Sequence, residues 1–327
     1  MTDHQNRQTI GVLLLNLGGP DTLDDVEPFL CNLFSDRKII RLSPFPFLQK
    51  FIAARIARKR APKSCEAYRL IGGGSPLAKI TAAQGHALEE ALGADGDFRV
   101  RMAMRYWYPR AGETLRLFAQ AGIDKVVALT LYPHYSIATT GSSLDDLRQA
   151  AAAAQHSFTV AEVRQWPEQP DYIACLANAI REGFKPFGGE KVELVYSAHS
   201  LPQKFIEEGD PYLDQIRQTI RAVEAVTGMK GHLCFQSRSG PVEWLAPSTP
   251  DMLKTLAGQG ARNILMVPIS FVSDHVETLY EIDMLYREQA GELGMRLERT
   301  ASLNTNPLFV KGLASLVLEA SRNQGWL

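Results

Sequence analysis

Short apolar runs alternate with amphipathic segments along the chain. Six runs rich in Leu and β-branched residues predict β-strands, namely "IGVLLLNL", "FRVRMAMRY", "KVVALTLYP", "VELVYSAHS", "HLCFQS" and "NILMVPISFV". Between them, "ITAAQGHALEEAL", "AGETLRLFAQAG" and "IRQTIRAVEAVTG" have the apolar spacing of helices that bury one face. This alternation predicts an α/β fold, with parallel sheets flanked by helices.

Nearly every predicted strand ends in a polar or turn-forming cluster. These clusters are "NLGGP", "RYWYPR", "PHYS", "SAHSLP", "QSRSGP" and "SDHVE". In open α/β sheets, ligands bind beyond the carboxyl ends of the strands. We therefore expect the functional site to be built from these six strand ends.

A weak internal repeat suggests two similar halves. The stretches "VVALTLYPHYSIATTGSSL" and "NILMVPISFVSDHVETL" align without a gap from Pro133 on Pro268. The second stretch carries Asp274, His275 and Glu277 where the first has uncharged residues. The match is too short to establish a duplication. If the halves are related, the charged chemistry belongs to the second.

Composition and charge narrow the classes of partner. A chain of 327 residues, 45% of them hydrophobic, can form two domains with well-packed cores. Its 35 Lys and Arg residues nearly balance its 36 Asp and Glu residues, so no overall basic field is available to hold nucleic acid. No apolar run approaches the roughly 18 residues needed to cross a bilayer. We expect neither a nucleic-acid partner nor a membrane-spanning segment.

The four cysteines, Cys31, Cys65, Cys175 and Cys234, are far apart and form no CxxC pair. They therefore indicate neither a zinc site nor a redox pair. Each is interpreted as a small buried thiol. A reduced compartment fits this usage best, so we expect the protein in the cytoplasm.

The glycine-rich stretch "RLIGGGSPL" could suggest a phosphate-binding loop. It lacks the GK[ST] ending of a P-loop, and neither it nor "NLGGP" matches GxGxxG. We therefore expect no bound nucleotide. The glycines favour a tight turn into a helix that starts near Leu77, with Ser75 as its cap and Pro76 in its first turn.

A basic amphipathic segment, "LSPFPFLQKFIAARIARKRAPK", covers residues 42–63. On a helix, Leu48, Phe51, Ile52 and Ile56 share one face, with lysines and arginines nearby. This composition is typical of a helix on an anionic membrane surface, or of an apolar lip over a pocket. A core helix with solvated charges explains the pattern equally well.

A histidine ends one predicted strand, at His199 in "VYSAHSLP". Its imidazole can accept a proton near pH 7, because its unperturbed pKa is about 6.5. A structural histidine, hydrogen-bonded at a turn, is the alternative interpretation.

The stretch "FVSDHVETLYEID" sets one histidine and four acids directly after an apolar strand. Asp274 and Glu277 have the spacing of a capping box for an α-helix that runs through Tyr286. Helical spacing also places Glu281 on the face of these two acids, with His275 on the adjacent face. Like charges on one line repel unless a cation or protons occupy it, so capping explains only part of the pattern.

Taken together, these motifs resemble the ferrochelatase family, whose members insert ferrous iron into a porphyrin. The resemblance runs along most of the chain and rests on "LLLNLGGPDTLDDVEPFL", "LFSDRKII", "YRLIGGGSPL", "MRYWYP", "LYPHYSIATTGSS", "YSAHSLP", "GDPY", "CFQSRSGPVEWLAPST" and "PISFVSDHVETLYEID". It implies a chelatase fold of two Rossmann-like domains that face each other across a porphyrin cleft. We expect one half to comprise residues 1–134 and 305–327, and the other residues 135–304.

The resemblance also assigns roles to individual residues. His199 and Glu277 match the family's catalytic and metal-binding positions. Asp274, His275 and Glu281 match its path for protons or metal. The family's porphyrin-binding positions correspond to Arg105, Tyr106, Gln236, Ser237 and Arg238. Residues 42–60, called the lip segment below, correspond to its apolar, membrane-facing mouth.

The expected reaction converts protoporphyrin IX and Fe²⁺ into protohaem, with release of two protons, as the last step of haem biosynthesis. The alternatives are a coproporphyrin III ferrochelatase, another tetrapyrrole chelatase, or a non-enzymatic haem or metal binding protein. Iron is a substrate here, and no prosthetic group is expected. Some family members bind an iron–sulfur cluster through cysteines near the C-terminus, but no cysteine follows Cys234, so we expect no cluster. The lip segment suggests peripheral attachment to the inner face of the membrane.

Overall fold

A computed structural model describes residues 8–238, 240 and 242–327. The chain divides into two compact units. The first unit comprises the chain up to Tyr132, Ser136–Trp166 and Thr305–Leu327, and the second comprises Pro133–Tyr135 and Pro167–Asn304.

Within the described part of the chain, eight strands form two parallel four-stranded sheets. The strands are β1 Ile10–Asn16, β2 Phe98–Met104, β3 Lys125–Thr130, β4 Thr159–Val163, β5 Glu193–His199, β6 His232–Gln236, β7 Asn263–Pro268 and β8 Arg296–Arg299. The first sheet has the order β2-β1-β3-β4 and the second β6-β5-β7-β8. The predicted α/β fold with parallel sheets is confirmed, and all six predicted strands are present.

Helices connect the strands. The α-helices are α1 Val26–Ser35, α2 Gln49–Leu70, α3 Leu77–Leu92, α4 Ala111–Gln120, α5 Ser142–Ala153, α6 Pro170–Phe184, α7 Gln203–Glu207, α8 Tyr212–Thr227, α9 Thr249–Gly258, α10 Arg287–Glu292 and α11 Pro307–Asn323. Short 3₁₀ helices cover Pro46–Leu48 and Lys185–Phe187, and π-helical segments cover Ile137–Gly141 and Glu277–Tyr286.

Each sheet is buried at its centre because helices cover it. Every residue of β1 and of β7 is buried, which is what a continuous apolar run in a parallel sheet predicts. In the second unit, Ile282 and Tyr286 of the π-helix share a core cluster with Ile264 and Met266 of β7. Apolar burial therefore holds the π-helix against the second sheet.

The two sheets have the same topology. The order β2-β1-β3-β4 becomes β6-β5-β7-β8 when four is added to each strand number. In both units a π-helical segment follows the third of these strands, at Ile137–Gly141 and Glu277–Tyr286. The weak repeat in the sequence thus lies in corresponding parts of the two sheets.

The compact units differ from the predicted halves in one segment. We expected the chain to enter the second half after residue 134, but Ser136–Trp166 belongs to the first unit. The reason is β4, which pairs in parallel with β3 and so ties this segment to the first sheet. The C-terminal segment Thr305–Leu327 also belongs to the first unit.

Helix α2, which carries most of the lip segment, buries a different face from the one that the apolar residues suggested. Its buried stripe begins with Gln49, Ala53, Ala57 and Ala61 and packs toward α1, whereas Phe51 is 64% exposed. Small residues allow the two helices to pack, and the large apolar side chains are left at the surface. Within the described residues, no helix is both long enough and apolar enough to cross a membrane.

The glycine-rich stretch forms a tight turn before α3. The amide of Gly73 donates to the carbonyl of Tyr68 (2.8 Å), and Gly72 and Gly73 have positive φ angles of 110° and 93°. A Cβ on Gly74 would lie 2.1 Å from the carbonyl oxygen of Asp21. The predicted tight turn is therefore present, and it depends on close backbone approach. The predicted cap is wrong, because the N-cap position of α3 is Pro76 rather than Ser75.

We predict that Gly74→Ala destabilises the protein by about 1–3 kcal/mol, because backbone must move to admit the methyl group. Calorimetry should record a clear fall in Tm. Gly258→Ala is the control: Gly258 ends α9 and has open space around its Cβ position, so its Tm should be unchanged or slightly raised. Equal Tm values for the two variants would contradict the close approach.

Candidate functional site

His199 lies at the carboxyl end of β5, the strand that runs between β6 and β7. Its amide donates to Oγ of Ser270 (3.0 Å), and its carbonyl accepts from the hydroxyl of Tyr212 (3.0 Å). Both backbone groups are thus satisfied, which fixes the backbone from which the ring projects. The side chain is 38% exposed, so the imidazole remains accessible.

His199 and Glu277 form the central pair of the site. Nδ1 of His199 lies 2.8 Å from Oε2 of Glu277. Burial disfavours the imidazolium, but the charge of Glu277 and this hydrogen bond outweigh it, so the pKa of His199 is raised. Burial likewise disfavours the carboxylate, and the neighbouring His199 outweighs it, so the pKa of Glu277 is lowered. Because the carboxylate can only accept, Nδ1 is the donor and Nε2 of neutral His199 keeps its lone pair.

Two residues at the end of β6 hold the glutamates in place. The amide group of Gln236 donates to the carbonyl of Glu277 (3.1 Å) and to Oε2 of Glu281 (3.2 Å). The hydroxyl of Ser237 lies 2.8 Å from Oε2 of Glu277 and 2.7 Å from Oε2 of Glu281. Ser237 has a φ of 64°, a left-handed conformation that costs a non-glycine residue roughly 1–2 kcal/mol.

Glu281 shares this polar pocket. Burial and the negative charge of Glu277 raise the pKa of Glu281 to about 7. Since Ser237 has a single hydroxyl hydrogen, it donates to only one of the two carboxyl groups at a time. A protonated Glu281 would satisfy the second contact by donating to Oγ of Ser237.

The helix that carries the glutamates departs from the predicted α-helix and capping box. Residues Glu277–Tyr286 are π-helical, and α-helix resumes only at Arg287. Asp274 lies before the helix and accepts from the hydroxyl of Thr278 (3.1 Å) rather than capping a backbone N–H. The capping-box prediction was therefore wrong, because the carboxylate of Asp274 is bound elsewhere.

Asp274 and His275 lie near the glutamates but have partners of their own. Burial opposes the Asp274 carboxylate, but hydrogen bonds from Ser302 and Asn304 outweigh it and lower the pKa of Asp274. Nδ1 of His275 donates to the carbonyl of Ser273 (3.0 Å), and its ring lies 4.3 Å from that of Phe271. Burial lowers the pKa of His275, so its imidazole is neutral at physiological pH.

Arg238 is the exposed basic residue at the end of β6. Its Nη2 donates to the carbonyl of Leu245 (2.9 Å), and the residue is exposed. Gln236, by contrast, is only 1% exposed, and its oxygen accepts from Ser197 (2.7 Å). Gln236 therefore supports the glutamates in this structure, and the porphyrin contact expected of it stays a prediction.

Arg105 and Tyr106 belong to a separate network in the first unit. Arg105 binds Asp36 (2.9 Å), Ser142 (2.6 Å) and Asp146 (3.4 Å). The hydroxyl of Tyr106 donates to Asp36 (2.7 Å), and Tyr106 is only 1% exposed. Both side chains have protein partners in this network, and the porphyrin contact expected of them stays a prediction.

The partners of Arg105 were missed from the sequence. Asp36 lies in "LFSDRKII" and Ser142 in "TTGSS", two stretches whose polar residues had no assigned role. The available signal was weak: "TTGSS" follows the predicted strand "KVVALTLYP", and both stretches carry polar residues that could meet Arg105.

Chemically, the second unit presents a base at the end of β5 and two acids on the π-helix that follows β7. The lone pair on Nε2 of His199 can accept a proton, and imidazole nitrogen with carboxylate oxygen suits Fe²⁺ as a ligand set. Among the described residues, no three or more His, Cys, Asp or Glu side chains are grouped as a metal site.

Comparison with known proteins shows extensive similarity. A family model described as ferrochelatase matches residues 9–321. The ferrochelatase of Desulfotalea psychrophila is 58% identical over 313 residues, covering 96% of this chain and 98% of the relative. The ferrochelatase of Geotalea uraniireducens is 55% identical over 309 residues, covering 94% of this chain and 96% of the relative.

Solved structures are similar in fold. SirB from Bacillus subtilis with Fe³⁺ aligns with a TM-score of 0.54 at 11% identity, covering 97% of this chain and 98% of SirB. The cobalt complex of the sirohydrochlorin chelatase SirB, from Bacillus subtilis subspecies spizizenii, aligns with a TM-score of 0.53 at 10% identity, covering 97% of each chain. At this identity the likeness concerns the fold alone.

We predict that Glu277→Gln lowers the pKa of Glu281 from about 7 toward its ordinary value of 4.5, because the neighbouring negative charge is removed. Infrared difference spectra recorded across a pH titration would follow the carboxyl band of protonated Glu281. A Glu281→Gln variant, in which that band disappears, assigns the signal. A midpoint that stays in place or rises in Glu277→Gln would refute the coupling.

Proposed function

Because the chain belongs to the ferrochelatase family, we propose that it uses protoporphyrin IX as its substrate and the His199–Glu277 pair as its catalytic centre. It is a metal chelatase that inserts iron into a porphyrin in haem biosynthesis. The observation that carries the catalytic proposal is the 2.8 Å contact between Nδ1 of His199 and Glu277. This contact leaves Nε2 of an accessible imidazole ready to accept a proton.

The reaction requires a base because a free porphyrin carries two inner N–H groups, and Fe²⁺ replaces both protons. In our proposal, Nε2 of neutral His199 accepts the two pyrrole protons one after the other, and the first is passed on before the second is taken. The adjacent carboxylate of Glu277 stabilises the imidazolium that forms, as the raised pKa of His199 indicates. The pair thereby makes His199 a stronger base than an isolated histidine.

We propose that protons leave through Ser237 and Glu281. Ser237 contacts both glutamates within 2.8 Å, and Glu281, with a pKa of about 7, can exchange a proton near neutral pH. His275, which is neutral, has a second ring nitrogen that can bind a passing metal ion. We assign Asp274 to holding the helix, because its carboxylate is bound by Ser302 and Asn304.

Metal handling in the proposal also rests on the central pair. His199 and Glu277 together offer one nitrogen and one spare carboxylate oxygen to the substrate Fe²⁺. Such ligands bind Fe²⁺ less strongly than thiolates do, which suits an ion that must pass on to the porphyrin. Arg238, which is exposed, is the residue we propose for the substrate's propionate, since guanidinium binds carboxylate in a two-point geometry.

The substrate proposal rests on the motifs. "HVETLYEID" and "QSRSGPVEW" resemble the variants of protoporphyrin-using relatives. Coproporphyrin III is the alternative substrate. Its additional propionates would call for more basic partners than Arg238 alone, which favours protoporphyrin IX.

The test is a spectroscopic assay with protoporphyrin IX and Fe²⁺ or Zn²⁺ under anaerobic conditions. We predict that His199→Ala and Glu277→Gln each lower kcat by about 100-fold or more, the usual contribution of a positioned base. The matched control is His232→Ala. His232 also faces a glutamate, Glu193 (3.5 Å), but it begins β6, whereas the site lies where β6 ends. Its turnover should equal that of the unchanged protein.

The pH profile supplies a second readout. Turnover should fall as pH drops through the raised pKa of His199, because the imidazolium cannot accept a proton. In Glu277→Gln the residual activity should fall at a lower pH than in the unchanged protein, since the charge that raises the pKa of His199 is gone. Full turnover in either variant would refute the catalytic assignment, and a higher kcat/KM with coproporphyrin III would refute only the substrate.

We also propose that the lip segment attaches the protein to the cytoplasmic face of a membrane. Phe45, Phe47 and Phe51 are 57%, 77% and 64% exposed. Lys50 and Arg55 beside them are exposed too. Apolar rings next to basic side chains are the features by which peripheral helices bind anionic lipid. Such attachment would suit an enzyme with an apolar substrate.

We predict that the double variant Phe47→Ser/Phe51→Ser binds anionic vesicles at least about tenfold more weakly, because two rings no longer enter the lipid. Vesicle co-sedimentation measures the change. Leu117→Ser is the control, since Leu117 on α4 is 53% exposed but has a different location. Unchanged binding by the double variant would argue against attachment through this segment.

Finally, we propose that the enzyme turns over without an iron–sulfur cluster. Burial raises the pKa of the Cys175 thiol and of the Cys234 thiol to about 11. A cluster requires several thiolate ligands close together, whereas the four cysteines are far apart in the sequence and none follows Cys234. Iron therefore enters the proposal as a substrate alone.

A further inference from the structure

One arginine forms ion pairs with an aspartate in the π-helix of the second unit and with another just before it. Arg299 ends β8, and its side chain is only 10% exposed. Its guanidinium forms a two-point ion pair with Asp283, from Nε (2.9 Å) and Nη2 (2.8 Å). Its remaining nitrogen, Nη1, lies 3.2 Å from Oδ1 of Asp274.

The two aspartates lie on either side of the glutamates. Asp274 precedes Glu277 by three residues, and Asp283 follows Glu281 by two. A single side chain, anchored on a neighbouring strand, is therefore tied to both flanks of the segment that presents the acids.

We call the contacts of Arg299 with Asp283 and Asp274 the clamp. It continues into the loop after β8. Nη1 of Arg299 also donates to Ser302 (2.9 Å), whose hydroxyl donates to Asp274 (2.6 Å). The side chain of Asn304 both donates to Asp274 (2.9 Å) and accepts from its amide (2.9 Å). Asn304 has a φ of 43°, so the backbone adopts a left-handed conformation where it makes these contacts.

A π-helix needs such a restraint. Its i→i+5 hydrogen bonds are rarely sustained beyond one turn, and α-helix is the competing conformation. The segment Glu277–Tyr286 spans 10 residues. A change to α-helix would rotate Glu281 relative to Glu277. The contacts of Glu277 with His199 and of Glu281 with Ser237 could then not both be kept.

We propose that Arg299 is a positioning residue, which holds the π-helix in the register that brings Glu277 to His199 and Glu281 to Ser237. The proposal rests on the catalytic role proposed for Glu277. Arg299 itself touches neither His199 nor the glutamates among the contacts described. Its effect on turnover is therefore indirect.

The test compares Arg299→Gln and Arg299→Lys with Arg296→Gln in the spectroscopic iron-insertion assay. Arg299→Gln should lower kcat 10- to 100-fold, since a displacement near 1 Å in a reacting group can cost about 100-fold, while KM for the porphyrin changes less than threefold. Arg299→Lys should recover little, because one ammonium cannot reproduce the two-point pair. Arg296 lies on the same strand but binds Glu298 and Pro186, so Arg296→Gln should keep full turnover.

Hydrogen exchange of the amides in Glu277–Tyr286 provides a readout independent of activity. Exchange should accelerate in Arg299→Gln and Asp283→Asn, and remain unchanged in Arg296→Gln. The double variant Arg299→Gln/Asp283→Asn should be no worse in turnover than the more impaired single variant, because both substitutions break one interaction.

The outcomes separate this proposal from the catalytic one. If Glu277→Gln loses turnover while Arg299→Gln keeps it within twofold and shows unchanged exchange, the clamp is refuted and the catalytic pair stands. If Glu277→Gln keeps full turnover, the catalytic proposal fails, and the exchange measurement still decides whether Arg299 holds the helix. If exchange instead accelerates equally throughout the second unit as kcat falls, Arg299 only stabilises the unit as a whole, and the positioning role is refuted.

Discussion

The hydrogen bond between Nδ1 of His199 and Oε2 of Glu277 is the contact around which the second unit's polar groups are arranged. Burial alone would neutralise each side chain, since a desolvated carboxyl holds its proton and a desolvated imidazole loses one. At 2.8 Å, each group instead favours the charged form of the other. The pKa of His199 is raised and that of Glu277 lowered. A base of increased strength and an ionised acid can therefore coexist in a half-buried site.

The same strand order carries different chemistry in the two units. In the first, the guanidinium of Arg105 forms ion pairs with Asp36, which follows α1, and with Asp146 in α5, so these acids are already paired with a protein cation. In the second, within the part of the chain that the structure describes, no lysine or arginine forms an ion pair with Glu277 or Glu281. Their charge is balanced only by His199 and by protons. An incoming cation can therefore be accommodated in the second unit without displacing a protein side chain.

The sequence was most informative where burial decides structure. All six predicted runs became strands: β1, β3, β5 and β7 are central and have continuous apolar sequence, and the edge strands β2 and β6 still carry enough apolar residues to be recognised. The strands β4 and β8 were missed. Each lies at a sheet edge, and "TVAEV" and "RLER" carry polar residues that a central strand would exclude. The early domain boundary follows directly from missing β4.

The site was only partly predictable for a related reason. His199 and Glu277 could be found because one ends a recognisable strand and the other follows one. The π-helix could not, because a wheel drawn at 100° per residue assumes α-helical geometry, and π-helix is set by tertiary contacts such as those to Arg299. The partners of Asp274 and Arg105 are distant in sequence: Asn304 lies 30 residues from Asp274 and Asp36 lies 69 residues from Arg105. No local pattern reveals such pairs.

Backbone strain marks the places where the fold serves the site. Among the described residues, Ser237 and Asn304 are the two non-glycine residues with positive φ, at 64° and 43°. Each uses that conformation to aim a polar side chain at the helix: Ser237 at Glu277 and Glu281, and Asn304 at Asp274. A glycine would relieve the backbone but remove the hydrogen bonds. Retaining a side chain in this conformation costs stability, and here it orients the acids that the chemistry requires.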